Sequence, residues 1–172
     1  MTEKVEQCLV IIKPDGLVKS LTGDIISKLA ETKLTIVGAK IVSVSRELAE
    51  RHYHKLKEAK GEAIFEATLK YIMGHYHTNR VLVMVYEGED AIAKIRELAG
   101  ATNPEKAEPT TIRGKYGRIH SDSGVFENVM HASEDGEQAE REIKLWFKPD
   151  ELVSKIYPNE TKQETVEYSY WK

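Results

Sequence analysis

An α+β domain on an antiparallel sheet is predicted by three features of the sequence. The first is a pair of unbroken apolar runs, Cys8-Leu9-Val10-Ile11-Ile12 and Val81-Leu82-Val83-Met84-Val85. Runs without polar alternation suit central strands covered on both faces. The second is the helical spacing of apolar residues in the segments between strands. The third is the order of these patterns: strand, helix, strand, helix pair, strand, helix, long polar stretch, strand, helix. Setting aside the helix pair and the last helix leaves βαββαβ, the ferredoxin-like order.

The first strand stops at Lys13-Pro14-Asp15-Gly16, where proline and Asp-Gly make a turn. A lysine in that position is either a solvated strand end or a phosphate ligand, and local sequence leaves both open. Residues 23–32 read as a helix with Ile25, Ile26 and Leu29 on one face. Residues 34–44 are β-branched and alternating, hence a strand. Residues 47–57 and 62–73 read as two helices joined at Lys60-Gly61. Residues 80–86 hold the second buried strand, and residues 89–99 a helix with Ile92, Ile95 and Leu98 inward. Residues 100–124 are rich in Gly, Pro, Thr and Ser. So long a loop inside a compact domain is usually functional or disordered, and this one carries Thr102, Arg113, Lys115 and Arg118. A strand is expected over residues 125–130. A helix follows over residues 136–147, with Asp135 and Gln138 as an N-terminal capping pair and Pro149 beyond its end. The tail, residues 157–172, has tyrosines and Trp171 but no clear period.

At 172 residues the chain is expected to form one domain, residues 1–172. The net charge is −3 with no long basic tract, so non-specific nucleic-acid binding is not the leading idea. Residues 1–7 are polar and lack an apolar leader, and no apolar run is long enough for a bilayer. The single cysteine, Cys8, has no internal disulfide partner, which fits a reducing, cytoplasmic setting.

The chemistry centres on Asn128-Val129-Met130-His131-Ala132-Ser133-Glu134. His131 follows an apolar run and precedes a helix, so it is expected at a strand end near a helix N-terminus, where anions are favoured. A lone histidine there is more often a satisfied core or loop residue. No P-loop or dinucleotide fingerprint is present. A phosphate site would therefore use side chains, with Lys13, Arg96, Arg113 and Thr102 as candidates. A histidine among such cations is a plausible phosphoryl acceptor.

Four motifs in sequence order carry a resemblance: Ile12-Lys13-Pro14-Asp15-Gly16, Thr102-Asn103-Pro104, Thr111-Ile112-Arg113-Gly114 and Asn128-Val129-Met130-His131-Ala132-Ser133. Together they resemble the nucleoside diphosphate kinase family over residues 8–153, with 154–172 as a tail. The resemblance implies ping-pong transfer of a γ-phosphate from a nucleoside triphosphate such as ATP to a nucleoside diphosphate, through phosphohistidine on His131. It implies phosphate contacts from Lys13, Arg96, Thr102 and Arg113, and ribose contacts from Lys13 and Asn128. It places Tyr53 beside the histidine, Val125 among the nucleotide contacts, and Ser133 and Glu142 behind the site. It implies Mg²⁺ carried by the nucleotide phosphates with no protein metal ligands, and a hexamer or tetramer. The family's base-stacking phenylalanine aligns with Ile64 and a nearby leucine with Thr68, with Phe65 as the alternative stacking residue. Ala132 and Glu134 replace the usual Gly and Asp around Ser133, and the loops near residues 74–80 and 113–128 are longer than usual.

Other readings are weaker. His52 and His54, two apart on a predicted helix, point to different sides. His75-x-His77 lacks an obvious set of further metal ligands. An RNA-binding module would need aromatics on the central strands, which are aliphatic here.

Overall fold

The computed structural model describes residues 5–172. Strand β1 (Val5–Ile12) is followed by helices α1 (Pro14–Val18) and α2 (Thr22–Ala30), then strand β2 (Thr35–Ser43). Helices α3 (Arg46–His52), α4 (Leu56–Lys60) and α5 (Glu62–Ile72) lead to β3 (Arg80–Glu89) and α6 (Ala91–Ala99). After a 3-10 turn at Pro104–Lys106 come α7 (Ile112–Tyr116), β4 (Arg118–Ile119), β5 (Phe126–Glu127), β6 (Met130–Ala132) and α8 (Gly136–Trp146).

The main sheet has the order β2-β3-β1-β6, with every neighbouring pair antiparallel. This is the ferredoxin-like arrangement expected from the sequence. The unbroken apolar run of β1 is explained by its two faces. Cys8, Val10 and Ile12 pack with Ile25, Leu29 and Ile95 on one side of the sheet. Leu9 and Ile11 pack with Leu69, Ile72, Ile143 and Trp146 on the other. All five residues of the run have zero exposure, so neither face tolerates a polar residue.

Three sequence readings are corrected. The helix expected over residues 47–57 is two helices, because the chain turns at Tyr53 between α3 and α4. The stretch at 100–124 is not a bare loop. It forms the 3-10 turn, α7 and the strand β4, with Asn103 and Thr111 capping the turn and helix through their side chains. The single strand expected at 125–130 is divided. Residues of β5 pair only with β4, and β6 pairs with β1. Val129 separates them with φ +57. A left-handed conformation is costly for a β-branched residue, on the order of 1–3 kcal/mol. It is held by complete burial and by the Lys13 amide, which donates to the Val129 carbonyl at 2.8 Å. His131 consequently sits inside β6, opposite Ile11, rather than at a strand end.

Candidate active site

Three elements converge at His131. Strand β6 carries it, helix α8 carries Glu142, and the end of α3 carries His52 and Tyr53. The His131 side chain is 19% exposed, so part of it is open to solvent. Its Nε2 lies 3.0 Å from Glu142 Oε2. The same oxygen accepts from Ser133 Oγ at 2.7 Å, and Ser133 Oγ accepts from the Leu9 amide at 3.1 Å. A chain of hydrogen bonds thus ties the β1 backbone to the imidazole. Burial opposes ionisation of Glu142, but His131, His52 and the Ser133 hydroxyl outweigh it and hold the carboxyl down at about 2. An ionised carboxylate only accepts, so Nε2 of His131 carries the proton and Nδ1 presents its lone pair.

The cations gather nearby. Lys13, at the end of β1, is almost fully buried and donates from Nζ to Asn128 Oδ1 at 2.7 Å. Asn128 Nδ2 donates in turn to the Thr102 carbonyl at 2.8 Å. Burial, then the Arg113 guanidinium, push the Lys13 ammonium down to about 7, and Asp15 offsets only part of this. Arg113 on α7 is buried and donates to the carbonyls of Gly100 and Met130. Its burial and the neighbouring charge of Arg96 push it down to about 10. Arg96 is exposed on α6, and Thr102 is exposed in the chain that follows that helix. Arg96 lowers Arg113, Arg113 lowers Lys13, and none of the three has an ion-pair partner among the described residues, so the cluster favours an anion. The Tyr53 hydroxyl adds a buried polar atom with no hydrogen-bond partner among the described residues, and it senses both Glu142 and Arg113. Buried hydroxyls without partners are rare outside ligand sites.

The remaining predicted residues divide. Ile64 is 51% exposed on α5, whereas Phe65 is 7% exposed and packs in the core with Leu69 and Ile72. Thr68 satisfies its hydroxyl on the Ile64 carbonyl at 2.8 Å. Val125 is buried at the foot of the β4–β5 hairpin, where its carbonyl accepts from the His120 amide. A separate cavity of about 520 Å³, lined by Asp24, Lys28, Thr111 and Lys115 among others, holds none of the site side chains.

Some features escaped the sequence. His52 is not a helix-surface residue; it is 4% exposed and packs edge-on against His131. With Glu142 these histidines place three ligand-type atoms within 4.8 Å of one another. The set has the composition of a zinc site. Trp146 argues against that use, because its Nε1 donates to His52 Nδ1 at 3.1 Å. An indole only donates, so the neutral His52 ring has its lone pair engaged at Nδ1 and its proton on Nε2. His77 does not chelate with His75. Its Nε2 lies 2.6 Å from Glu127, a fully buried carboxylate that also meets Arg118 and Lys19. Asp15, also fully buried, accepts from the Tyr71 hydroxyl. Spacing carries no signal for these long-range partners, since they lie on separate elements.

The chain is similar to known proteins over most of its length. Residues 6–152 match the model of the family described as nucleoside diphosphate kinase. The nucleoside diphosphate kinase of Pyrococcus furiosus is 49% identical over 149 residues, covering 87% of this chain and 87% of that one. That of Carboxydothermus hydrogenoformans is 45% identical over 150 residues, covering 87% and 93%. The Borrelia burgdorferi enzyme, solved as a transition-state mimic with vanadate and ADP, superposes with a TM-score of 0.78 at 34% identity, covering 89% of this chain and 93% of that one. The Halobacterium salinarum enzyme in complex with CDP superposes with a TM-score of 0.75 at 38% identity, covering 90% and 95%. With a matching family model, relatives close to half identical and solved members that superpose over most of its length, this chain belongs to the nucleoside diphosphate kinase family and is a nucleotide phosphotransferase.

Proposed function

We propose that His131 is the phosphoryl carrier of this enzyme and that its Nδ1 is the attacking atom. The observation that carries the reading is the ring's hydrogen bond to ionised Glu142, which leaves Nδ1 unprotonated beside unpaired cations. The lone pair of Nδ1 forms a bond to the γ-phosphorus of a nucleoside triphosphate. The bond from that phosphorus to its bridging oxygen breaks, and the nucleoside diphosphate leaves. A second diphosphate then attacks phospho-His131, and the same steps run in reverse. The ring is positively charged while it carries the phosphoryl group, and Glu142 lies opposite that charge.

Lys13, Arg96 and Arg113, with the Thr102 and Tyr53 hydroxyls, hold the transferring and leaving phosphates. Phosphoryl transfer needs alignment and cancellation of spreading negative charge more than acid–base work. Lys13 and Asn128, already hydrogen-bonded to each other, also meet the ribose hydroxyls. Val125 is included among the nucleotide contacts because the family resemblance implies it. The donors around His131 are cationic, and Glu142 is committed to His131 and Ser133, which fits a divalent cation brought on the nucleotide. That cation, proposed as Mg²⁺, cancels phosphate charge when bound. Further parts of the reading are a single domain over residues 1–172, with core 8–153, and a cytoplasmic location. Among the described residues no helix is long and apolar enough to cross a membrane. A hexamer or tetramer is proposed as well, to be checked by gel filtration with light scattering.

The test of the phosphohistidine is incubation with γ-labelled ATP. The protein should acquire an acid-labile, alkali-stable label that any nucleoside diphosphate discharges. Label that survives acid, or is not discharged, would overturn the reading.

Ile64, not Phe65, is proposed to face the nucleobase, because Phe65 is committed to the core. An aromatic stacking face contributes about 1–3 kcal/mol per base, which isoleucine lacks. Ile64→Phe is expected to lower KM for all diphosphate acceptors by roughly five- to tenfold, at the low end of that range. Phe65→Ala is expected to cost about 3–5 kcal/mol of stability with little change in KM. A sharp KM increase in a stable Phe65→Ala protein, with no effect of Ile64→Phe, would reverse the assignment.

A further inference from the structure

We propose that His52 is a positioning residue for the reaction: a neutral imidazole, fixed by Trp146, that holds the ring of His131 in its attacking orientation. This rests on His131 being the phosphoryl carrier. The two imidazole centroids are 4.6 Å apart with planes at 78°, an edge-to-face pair. Such pairs have a preferred geometry and resist rotation of either ring. His52 is held on its other sides by Tyr53 at 4.6 Å and Trp146 at 5.5 Å, both near-perpendicular.

Helix α8 supplies the frame. Glu142 and Trp146 are four residues apart and share its inward face. Glu142 accepts a hydrogen bond from Nε2 of His131, and Trp146 donates to Nδ1 of His52. Arg141, next along the same helix, donates to the carbonyls of Arg51 and His52 at 3.0 and 3.2 Å. Those carbonyls lie at the C-terminal end of α3, where a cation is favoured. Three residues of one helix therefore register two imidazoles and the helix end that bears one of them. A His131 ring free to turn about its side-chain bonds would spend much of its time with Nδ1 off the phosphorus. Small misalignments of this kind cost large factors in rate.

Neutrality is the second requirement. The bond from Trp146 consumes the lone pair at Nδ1, so His52 can take up a proton only at the expense of that bond. Burial and the neighbouring charges of His131, Arg141 and Lys13 oppose the charged form as well, and Glu142 offsets part of this. A neutral neighbour does not repel the positive ring of phospho-His131.

The experiment compares His52→Ala, His52→Phe and Trp146→Phe with the native chain. The readouts are the single-turnover rate of His131 phosphorylation at saturating ATP, the KM for nucleotide, and the ¹⁵N shifts of His131, which report which ring nitrogen is protonated. His52→Ala is expected to slow phosphorylation ten- to a hundredfold with KM within about twofold, because the phosphate ligands are untouched. His52→Phe restores a ring edge and is expected to recover part of the rate. It also serves if the alanine variant does not fold. Trp146→Phe should slow the step less and broaden or mix the His131 nitrogen signals. Folded His52→Ala and His52→Phe that phosphorylate at the native rate with native ¹⁵N shifts would overturn the proposal, even if both melt earlier. Failure of the native chain itself to become phosphorylated on His131 would instead remove the reading beneath it.

Discussion

His131→Ala is expected to abolish both halves of the reaction while leaving the fold in place. The loss of kcat/KM should reach about 10⁴-fold or more, the scale seen when a covalent nucleophile is removed from a preorganised site. No acid-labile label should form. The fold should persist because the side chain is partly open to solvent and its strand pairing with Ile11 uses backbone atoms only. The variant should nevertheless be more acid-sensitive. Glu142 has a depressed pKa, so its stabilisation is present above the unfolded carboxylate value, about 4.3, and is lost as pH falls toward 2. Removing His131 takes away the largest charge that depresses it. The acid limb of the stability curve should then begin at higher pH, as thermal melts between roughly pH 2 and 5 would record. Turnover in the alanine variant comparable with the native enzyme would show that another residue carries the phosphoryl group.

Lys13→Met is expected to move activity and stability in opposite directions. Lys13 is buried, and burial together with Arg113 lowers its pKa to about 7. The unfolded lysine titrates near 10.4, so between roughly pH 7 and 10 the unfolded chain binds a proton that the folded chain has released. Stability of the ligand-free enzyme therefore rises with pH across that window, and below it the cost of the buried charge is fully present. Methionine removes the charge at similar length. The variant should gain roughly 1–4 kcal/mol at neutral pH, and its stability should no longer climb between pH 7 and 10. The gain is reduced because Asn128 loses its donor and Asp15 loses a compensating charge. Activity should fall about 10²–10³-fold, the usual consequence of losing one preorganised donor to developing charge. In the native enzyme a bound phosphate should restore the proton on Lys13, so nucleotide binding near pH 7 to 8 should take up protons from the buffer. Calorimetry in buffers of different ionisation enthalpy measures that uptake. A Lys13→Met protein that is less stable at neutral pH, or that keeps the slope, would show that the ammonium is not the strained group.

Residues that act through the local period of the chain were legible without coordinates. The central strands announced themselves because both faces are buried, so each position had to be apolar. Helix α8 was legible from its spacing and from Asp135, whose side chain accepts from the Gln138 amide at 2.8 Å. The motif residues Lys13, Arg113, Asn128 and His131 were legible by family resemblance, since their types and order recur together. Tertiary structure alone decided what depends on elements distant in sequence. The positive φ of Val129, which splits one apparent strand into β5 and β6, is tolerated only because β1 and the Lys13 amide lock it. Phe65 and Ile64 are adjacent and both apolar, so only the seating of α5 on the sheet decides which is buried. The Glu127 carboxylate is burial-tolerant only because Lys19, His77 and Arg118 arrive from three separate segments. His52 and His131 are 79 positions apart, and no spacing rule links them. They meet because α8 grips both, and hydrogen bonds between side chains on different elements leave no period in the sequence to read.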